Sequence, residues 1–574
     1  MLSRKHRLKH NQHKKKHTIH NPTSNICQQS KKSIKSITSQ KLLSSYTKYL
    51  SLIVIKFINN ANHKRILESI FAIKSKLRPL LYMKHSPRDF ELDATLKIPN
   101  FIELFQYLMT IPTFNKHFTK EELNDFQNVL SSHTGNQTKY LIYDYLHNNP
   151  IGAKIADAYY KEYYNLNMSG NLGGTLESKF PSTKFHQLLI NSFTSYKILE
   201  DIEKNMTSLS IGSLKYKKNT HNYTHTPTHT HTPTHNHTPT HNHTHKYKCD
   251  NLLYIFSDAQ EDKEARYSTE KAYEFDQISE LGRKIIRRLL FFNEFLGTDK
   301  LPHKLIIFLT NQEKEIDDAL EHKAHFRSLN VNTAVTNGQD IIIYRKQELL
   351  KSIFHELIHF HQLDFRTIPP SSEKVIMDYL KKTHNIAENN EYLLYECITE
   401  SLANILNNIY SGDIVYSRGT RNLKDFKKNF IDELLFSTFQ VAKILRICKY
   451  NSWEEFALLE SDSNSAPTHN PVKQFKQDSC VFSYYILKLY ILMNIDEYWS
   501  TILDNHLKFI PNEDNFNKLI GIFEKGRKDI HLARMINSIL QGTTKSNVQN
   551  NVQSNLQSNL QSKINKTLRM TCIE

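Results

Sequence analysis

Between Ile353 and Phe365 the chain reads IFHELIHFHQLDF. Two histidines stand four positions apart among bulky apolar residues, with a glutamate directly after the first. On a helix, positions i and i+4 share a face one turn apart, so His355 and His359 can each aim a ring nitrogen at one ion. Glu356 is rotated from that face by about 100 degrees. From there it can hydrogen-bond a water near the ion rather than ligate the ion itself. The chemistry this predicts is hydrolysis by a water activated on one Zn2+ ion, with Glu356 as general base. The motif alone does not decide the matter. With 30 histidines in 574 residues, an H-E-x-x-H arises by chance in about one such chain in ten.

A third ligand is needed. His361 lies two positions from His359 and so points to the far side of the same helix. Extension to H-E-x-x-H-x-x-G-x-x-H fails, because Gln362 stands at the glycine position and Phe365 at the histidine position. A second stretch, EYLLYECITESLANIL (391–406), offers a better donor. Glu396 and Glu400 are again four apart, on an otherwise apolar helix where two carboxylates are expensive unless something positive meets them. Glu396 is the predicted third ligand. Glu400 is predicted to accept a hydrogen bond from a ligand imidazole and fix its tautomer. Asp364 either orients the end of the motif helix or serves a plain turn. Candidate donors to the developing oxyanion are Tyr484, Tyr485 and His469, with core packing the competing reading of both tyrosines.

Stepping from these residues to what must hold them, NLLYIFSD (251–258) and KLIIFLTN (304–311) read as buried strands flanking a helical stretch around 266–295. NTAVTNGQDIIIYR (332–345) carries Asn337-Gly338 between two β-prone runs, a hairpin signal. A helix over 347–363 follows, and beyond Pro369-Pro370 the pattern is helical over 389–410, 423–448 and 479–494. Upstream, RILESIFAIKSKLRPLL and IPNFIELFQYLMTI show apolar residues at helical intervals.

Charge and composition set the limits around this region. The formal net charge is +17, which suggests nucleic acid until it is located. Residues 1–67 hold fifteen Lys or Arg and no acid, and the remainder is near balance. The basicity therefore belongs to a tail, and nucleic acid is a partner only through that tail. Six cysteines are scattered without a C-x-x-C pair, which points to a reducing, intracellular setting, cytoplasm or nucleus. No apolar run reaches the length of a membrane span. YLSLIVIKFI (49–58) is the nearest approach to a secretory core, but it stands behind a long basic lead. Nine histidines lie between His221 and His245 in Thr-Pro-Thr-His units, with no apolar side chains to bury. The expected division is a basic disordered tail (1–62), a helical N-terminal region (63–215), a His/Thr/Pro-rich linker (216–248), a catalytic domain (249–540) and a Gln/Asn/Ser-rich disordered tail (541–574).

HELIH followed by YECITE resembles the gluzincin class of zinc metallopeptidases, in which an H-E-x-x-H helix is completed by a glutamate from a later helix. The resemblance implies His355, His359 and Glu396 as zinc ligands, Glu356 as general base and Glu400 behind a ligand. Two features depart from thermolysin-like members: 36 residues separate His359 from Glu396, a longer interval, and Tyr395 stands where Asn often precedes the third ligand. HELIH, Leu363-Asp364-Phe365 and Tyr395-Glu396 through Ala403 are also similar to uncharacterised proteins of large DNA viruses and microbial eukaryotes, classed as zinc metallopeptidases. That similarity covers roughly 250–530. The fold it implies is α+β and mostly helical: a zincin-like domain with a small mixed sheet over the active-site helix, then a helical subdomain. A peptide or protein would be the substrate. Two other readings compete: a non-catalytic protein in which the ion staples two helices while the basic tail contacts nucleic acid or an acidic partner, and a nuclear protease acting on DNA-bound proteins.

Overall fold

The computed structural model describes chiefly residues 39–76, 269–364 (save 337), 370–387, 392–411, 420–459, 474–503, 507–545 and 566–573. Shorter described pieces lie at 28, 31, 33–35, 90–97, 119–131, 208–218 and 245–257. The described residues are mostly helical, with a small six-stranded mixed sheet and a two-stranded parallel pairing of His325–Phe326 with Lys476–Gln477.

Six strands form that sheet: β1 (Phe90–Lys97), β2 (Ser208–Lys218), β3 (His245–Ser257), β4 (Leu305–Phe308), β5 (Ala334–Thr336) and β6 (Ile341–Ile343), in the spatial order β1-β2-β3-β4-β6-β5. The expected strands of 251–258 and 304–311 are present and parallel, Leu253 opposite Leu305. The helix between them, Thr269–Leu296, makes the crossover that parallel neighbours require. β5 and β6 pair antiparallel, Thr336 opposite Ile341, across a turn in which Gly338 has φ +86. That left-handed backbone is the reason for glycine there. Ile341, Ile342 and Ile343 are all buried, as a strand covered on both faces must be.

Five expectations change. The region 63–215 is not helical throughout: helices Ala61–Lys76 and Lys120–Ser131 are joined by strands β1 and β2, which extend the same sheet as β3. IPNFIELFQYLMTI lies outside the described residues. The segment 216–248 therefore does not separate two domains. It connects two antiparallel strands of one sheet, with Lys218 opposite His245.

The tail drawn over 1–62 contains a helix, Gln40–Asn59, capped by the Ser39 hydroxyl accepting from the Leu42 amide at 3.3 Å. Leu43, Tyr46, Leu50, Val54 and Phe57 form its buried stripe, at three- and four-residue intervals, against the long helix Thr420–Ile447. The Tyr46 hydroxyl pairs with that of Thr438 at 2.9 Å. YLSLIVIKFI is thus part of a packed amphipathic helix. Its apolar residues are core, and the absence of acids around them misassigned it.

The tail drawn over 541–574 also fails at both ends. A helix, Ile530–Lys545, continues into it, and Leu568, Met570, Thr571 and Cys572 are buried in the core. Finally, the stretch expected as one helix over 479–494 is a π-helical turn, Phe482–Leu487, running into an α-helix, Lys488–Met493. Among the described residues no helix is long and apolar enough to cross a membrane.

Candidate metal centre

The motif helix, Leu349–Phe360, is buried along nearly its whole length. It packs against the helices Tyr395–Ser411 and Thr269–Leu296 and lies beneath β5 and β6. Phe354 holds one side, edge-on to Phe291 at 6.1 Å. The helix ends in a Schellman motif: the Leu363 amide donates to Ile358 O and the Gln362 amide to His359 O, both at 3.1 Å. Gln362 occupies the left-handed position with φ +55. This turn reverses the chain so that Asp364 comes back to the helix it has just left.

The partner helix, Tyr395–Ser411, is buried from Glu396 to Tyr410. Glu396 falls in its first turn, where the helix dipole favours negative charge.

The two helices bring three donors together. His355 Nε2 lies 3.3 Å from Glu396 Oε2, His359 Nε2 lies 3.4 Å from the same oxygen, and the two Nε2 atoms are 3.2 Å apart. Tetrahedral coordination with bonds of about 2.0–2.1 Å places any two donors about 3.3–3.4 Å apart. The observed triangle is one face of such a tetrahedron. Glu396 Oε2 is buried and makes no hydrogen bond of its own. It faces two nitrogens without being aligned on either, as donors aimed at a common centre would be. These residues fit a metal ion.

The other side of each imidazole is equally occupied. His355 Nδ1 lies 3.0 Å from Glu400 Oε2, and His359 Nδ1 lies 2.7 Å from Asp364 Oδ2. A carboxylate on each Nδ1 keeps the proton there and turns each Nε2 lone pair toward the shared point. Glu400 is itself held by Lys351 Nζ at 2.5 Å and by Asn404 Nδ2 at 3.1 Å. Thr399 Oγ1 lies 3.4 Å from Asp364 Oδ2.

These contacts set the proton affinities. For Glu400, burial favours the neutral acid, but Lys351 and His355 outweigh it and bring the carboxyl down to about 2. Burial likewise opposes ionisation of Glu396, and the two imidazoles reverse it, lowering its pKa. Both histidines show the mirror effect. Burial works against the charged rings, yet the neighbouring carboxylates raise His355, and raise His359 well above the usual imidazole value. Glu356 moves the other way from Glu396 and Glu400: its pKa is raised, chiefly by burial.

Glu356 lines a cleft together with His355, Tyr484, Lys351, Ala334 and Met570. Tyr484 stands edge-on to His355 with ring centroids 6.0 Å apart. Tyr485 does not belong to the site. The π-helical turn carries it to the other side, where its hydroxyl donates to Leu568 O. His469 lies outside the described residues. His361 faces Phe292, 5.3 Å between centroids, away from the three donors.

Two participants escaped the sequence reading: Lys351, which resembles a surface lysine on an apolar helix, and the segment 566–573. Asp364 was read ambiguously, and the structure places its carboxylate against His359 Nδ1. No protein-family model matches the chain, and neither a curated protein nor a solved structure matches it.

Proposed function

We propose that this chain is a zinc-dependent hydrolase of peptide bonds, of the gluzincin type, with His355, His359 and Glu396 holding the ion. The observation that carries the reading is the donor triangle of 3.2, 3.3 and 3.4 Å, backed on both imidazoles by carboxylates. A bound zinc ion would lower the pKa of a water toward about 7 and polarise a carbonyl. Glu356 takes the proton released by the attacking water and returns it to the leaving amine. Its raised pKa suits a group that must accept and then surrender a proton. Glu400 and Asp364 hold the imidazoles in one tautomer and one orientation. Tyr484 is the candidate donor to the developing oxyanion.

A peptide is favoured as substrate because β5 is the outermost strand of the sheet and Ala334 lines the cleft. An extended chain can add to that edge by backbone hydrogen bonds. The zincin-like fold rests on the same arrangement, an edge strand above the motif helix. The staple reading is weaker. Structural zinc sites are usually closed by four ligands, whereas three donors converge among the described residues and a cleft reaches both His355 and Glu356.

The test uses the full chain with the nine histidines of 221–245 changed to asparagine, so that the tract contributes no metal. Elemental analysis should find about one zinc per chain, lost in His355→Ala. Glu356→Gln should keep the zinc and slow cleavage of a mixed peptide library by about 10²–10⁴-fold. A Glu356→Gln protein that cleaves at the wild-type rate overturns the mechanism. Zinc retained with no cleavage by any form points to the staple.

A further inference from the structure

Residues 566–573 enter the core as an irregular stretch held largely by side chains from distant parts of the chain. Leu568 N donates to Lys314 O at 2.7 Å, and Lys443 Nζ donates to Thr567 O at 2.5 Å. Lys488 Nζ donates to Met570 O at 2.8 Å. Glu348 Oε1 accepts from the amides of Met570 and Thr571, each at 2.6 Å. Glu433 Oε2 accepts from the Thr571 hydroxyl at 2.7 Å and the Cys572 amide at 3.1 Å. Asn407 Nδ2 donates to Ile573 O at 2.8 Å. Lys443, Lys488, Glu348 and Glu433 are all buried. A buried charge left without its partner costs several kcal/mol. This groove is therefore built around an occupant, and the occupant supplies mostly backbone groups, as a bound peptide does.

The same groove adjoins the metal centre. Glu348 is the residue from which the motif helix starts, in a left-handed conformation with φ 61. Met570 Sδ lies 3.8 Å from Lys351 Nζ, the group that holds Glu400 against His355. The Met570 side chain forms part of the cleft wall beside Glu356.

We infer that residues 566–573 act as a peptide ligand carried in cis, whose docking into this groove completes the metal centre, with Glu348 as a positioning residue. The docking stands on the hydrogen bonds alone; its effect on the ion rests on the zinc reading above. The Asn-, Gln- and Ser-rich sequence 546–565 ties the segment covalently to the helix Ile530–Lys545, and a covalent link of any kind raises the effective concentration of the segment at the groove.

The experiment places a protease site within 546–565 of the full chain and cuts it after folding. The fragment should stay with the main body through gel filtration, and this retention is read before any stripping. Stripping it in mild denaturant and returning the body to buffer should lose about one zinc per chain, measured against a His355→Ala protein cut in the same way. A synthetic peptide of 566–574 should restore the zinc. The same peptide with Thr571→Val should bind about tenfold or more weakly, having lost a hydrogen bond to a buried carboxylate. A fragment that leaves on the first column while the body keeps its zinc overturns the proposal, as does equal restoration by a scrambled peptide. If even the uncut protein holds no zinc at His355, the zinc reading fails, and retention of the fragment alone still decides the docking.

Discussion

The two ends of the motif helix solve the same problem with different means. Toward its start, His355 is fixed by Glu400, which is fixed by Lys351 and Asn404, while Glu348 pairs with Lys314 at 2.7 Å and holds the 566–573 segment. Toward its end, His359 meets Asp364, delivered by a backbone turn with Thr399 Oγ1 at 3.4 Å, and the second oxygen of Asp364 makes no hydrogen bond. The first end is an ion network closed from several directions. The second is one carboxylate placed by local chain geometry. Stability should therefore concentrate at the Lys351 end, and metal affinity should be divided between both.

The sharpest break is Lys351→Met. The side chains of Lys351 and Glu400 are 2% and 0% exposed, so removing the cation strands a buried carboxylate. We expect a loss of about 3–5 kcal/mol in urea unfolding at neutral pH, together with weaker zinc binding. A loss under about 1 kcal/mol would mean that the network is not what holds this end.

Asp364→Asn tests the other end. Zinc affinity, measured by chelator competition, should fall about 10–100-fold, and the metal-free fold should lose less stability than it does in Lys351→Met. A pH series sharpens the result. In the metal-free protein both imidazole pKa values are raised above 6.5, so their pairing contributes stability that is fully present below 6.5. That stability is lost as pH rises through the raised values. Asp364→Asn should reduce this alkaline loss, and zinc, which needs the neutral rings, should remove it.

The smallest effects separate two adjacent tyrosines. Tyr484→Phe should slow cleavage by about tenfold or more without unfolding the protein. Tyr485→Phe, which breaks only the bond to Leu568 O, should cost about 1 kcal/mol and leave the rate alone. Equal effects on rate would remove Tyr484 from its assigned role.

What the sequence revealed follows the same division. The set His355, Glu356, His359, Glu396 and Glu400 was legible because one-turn spacing is a local property of a helix. The hairpin before the motif was legible because Asn337-Gly338 marks its own turn. Asp364 was half legible, since a turn residue does not say what it will meet. Lys351 and Thr571 were not legible, because their meaning lies in partners 49 and 138 positions away. The helix Gln40–Asn59 was missed for a different reason. Its apolar stripe was readable, but the run of basic residues was allowed to define the whole segment.

The pairing of Lys218 with His245 has a consequence for how this gene can vary. Both borders of the Thr-Pro-Thr-His run are held by the same pair of strands, and for units that add chain length alone the cost of closing the connection is about 0.6 kcal/mol for each doubling. Copies of the protein that differ in repeat number should melt within a degree or two of one another. Replication slippage could therefore rewrite this stretch while the cluster of His355, His359 and Glu396 is inherited unchanged.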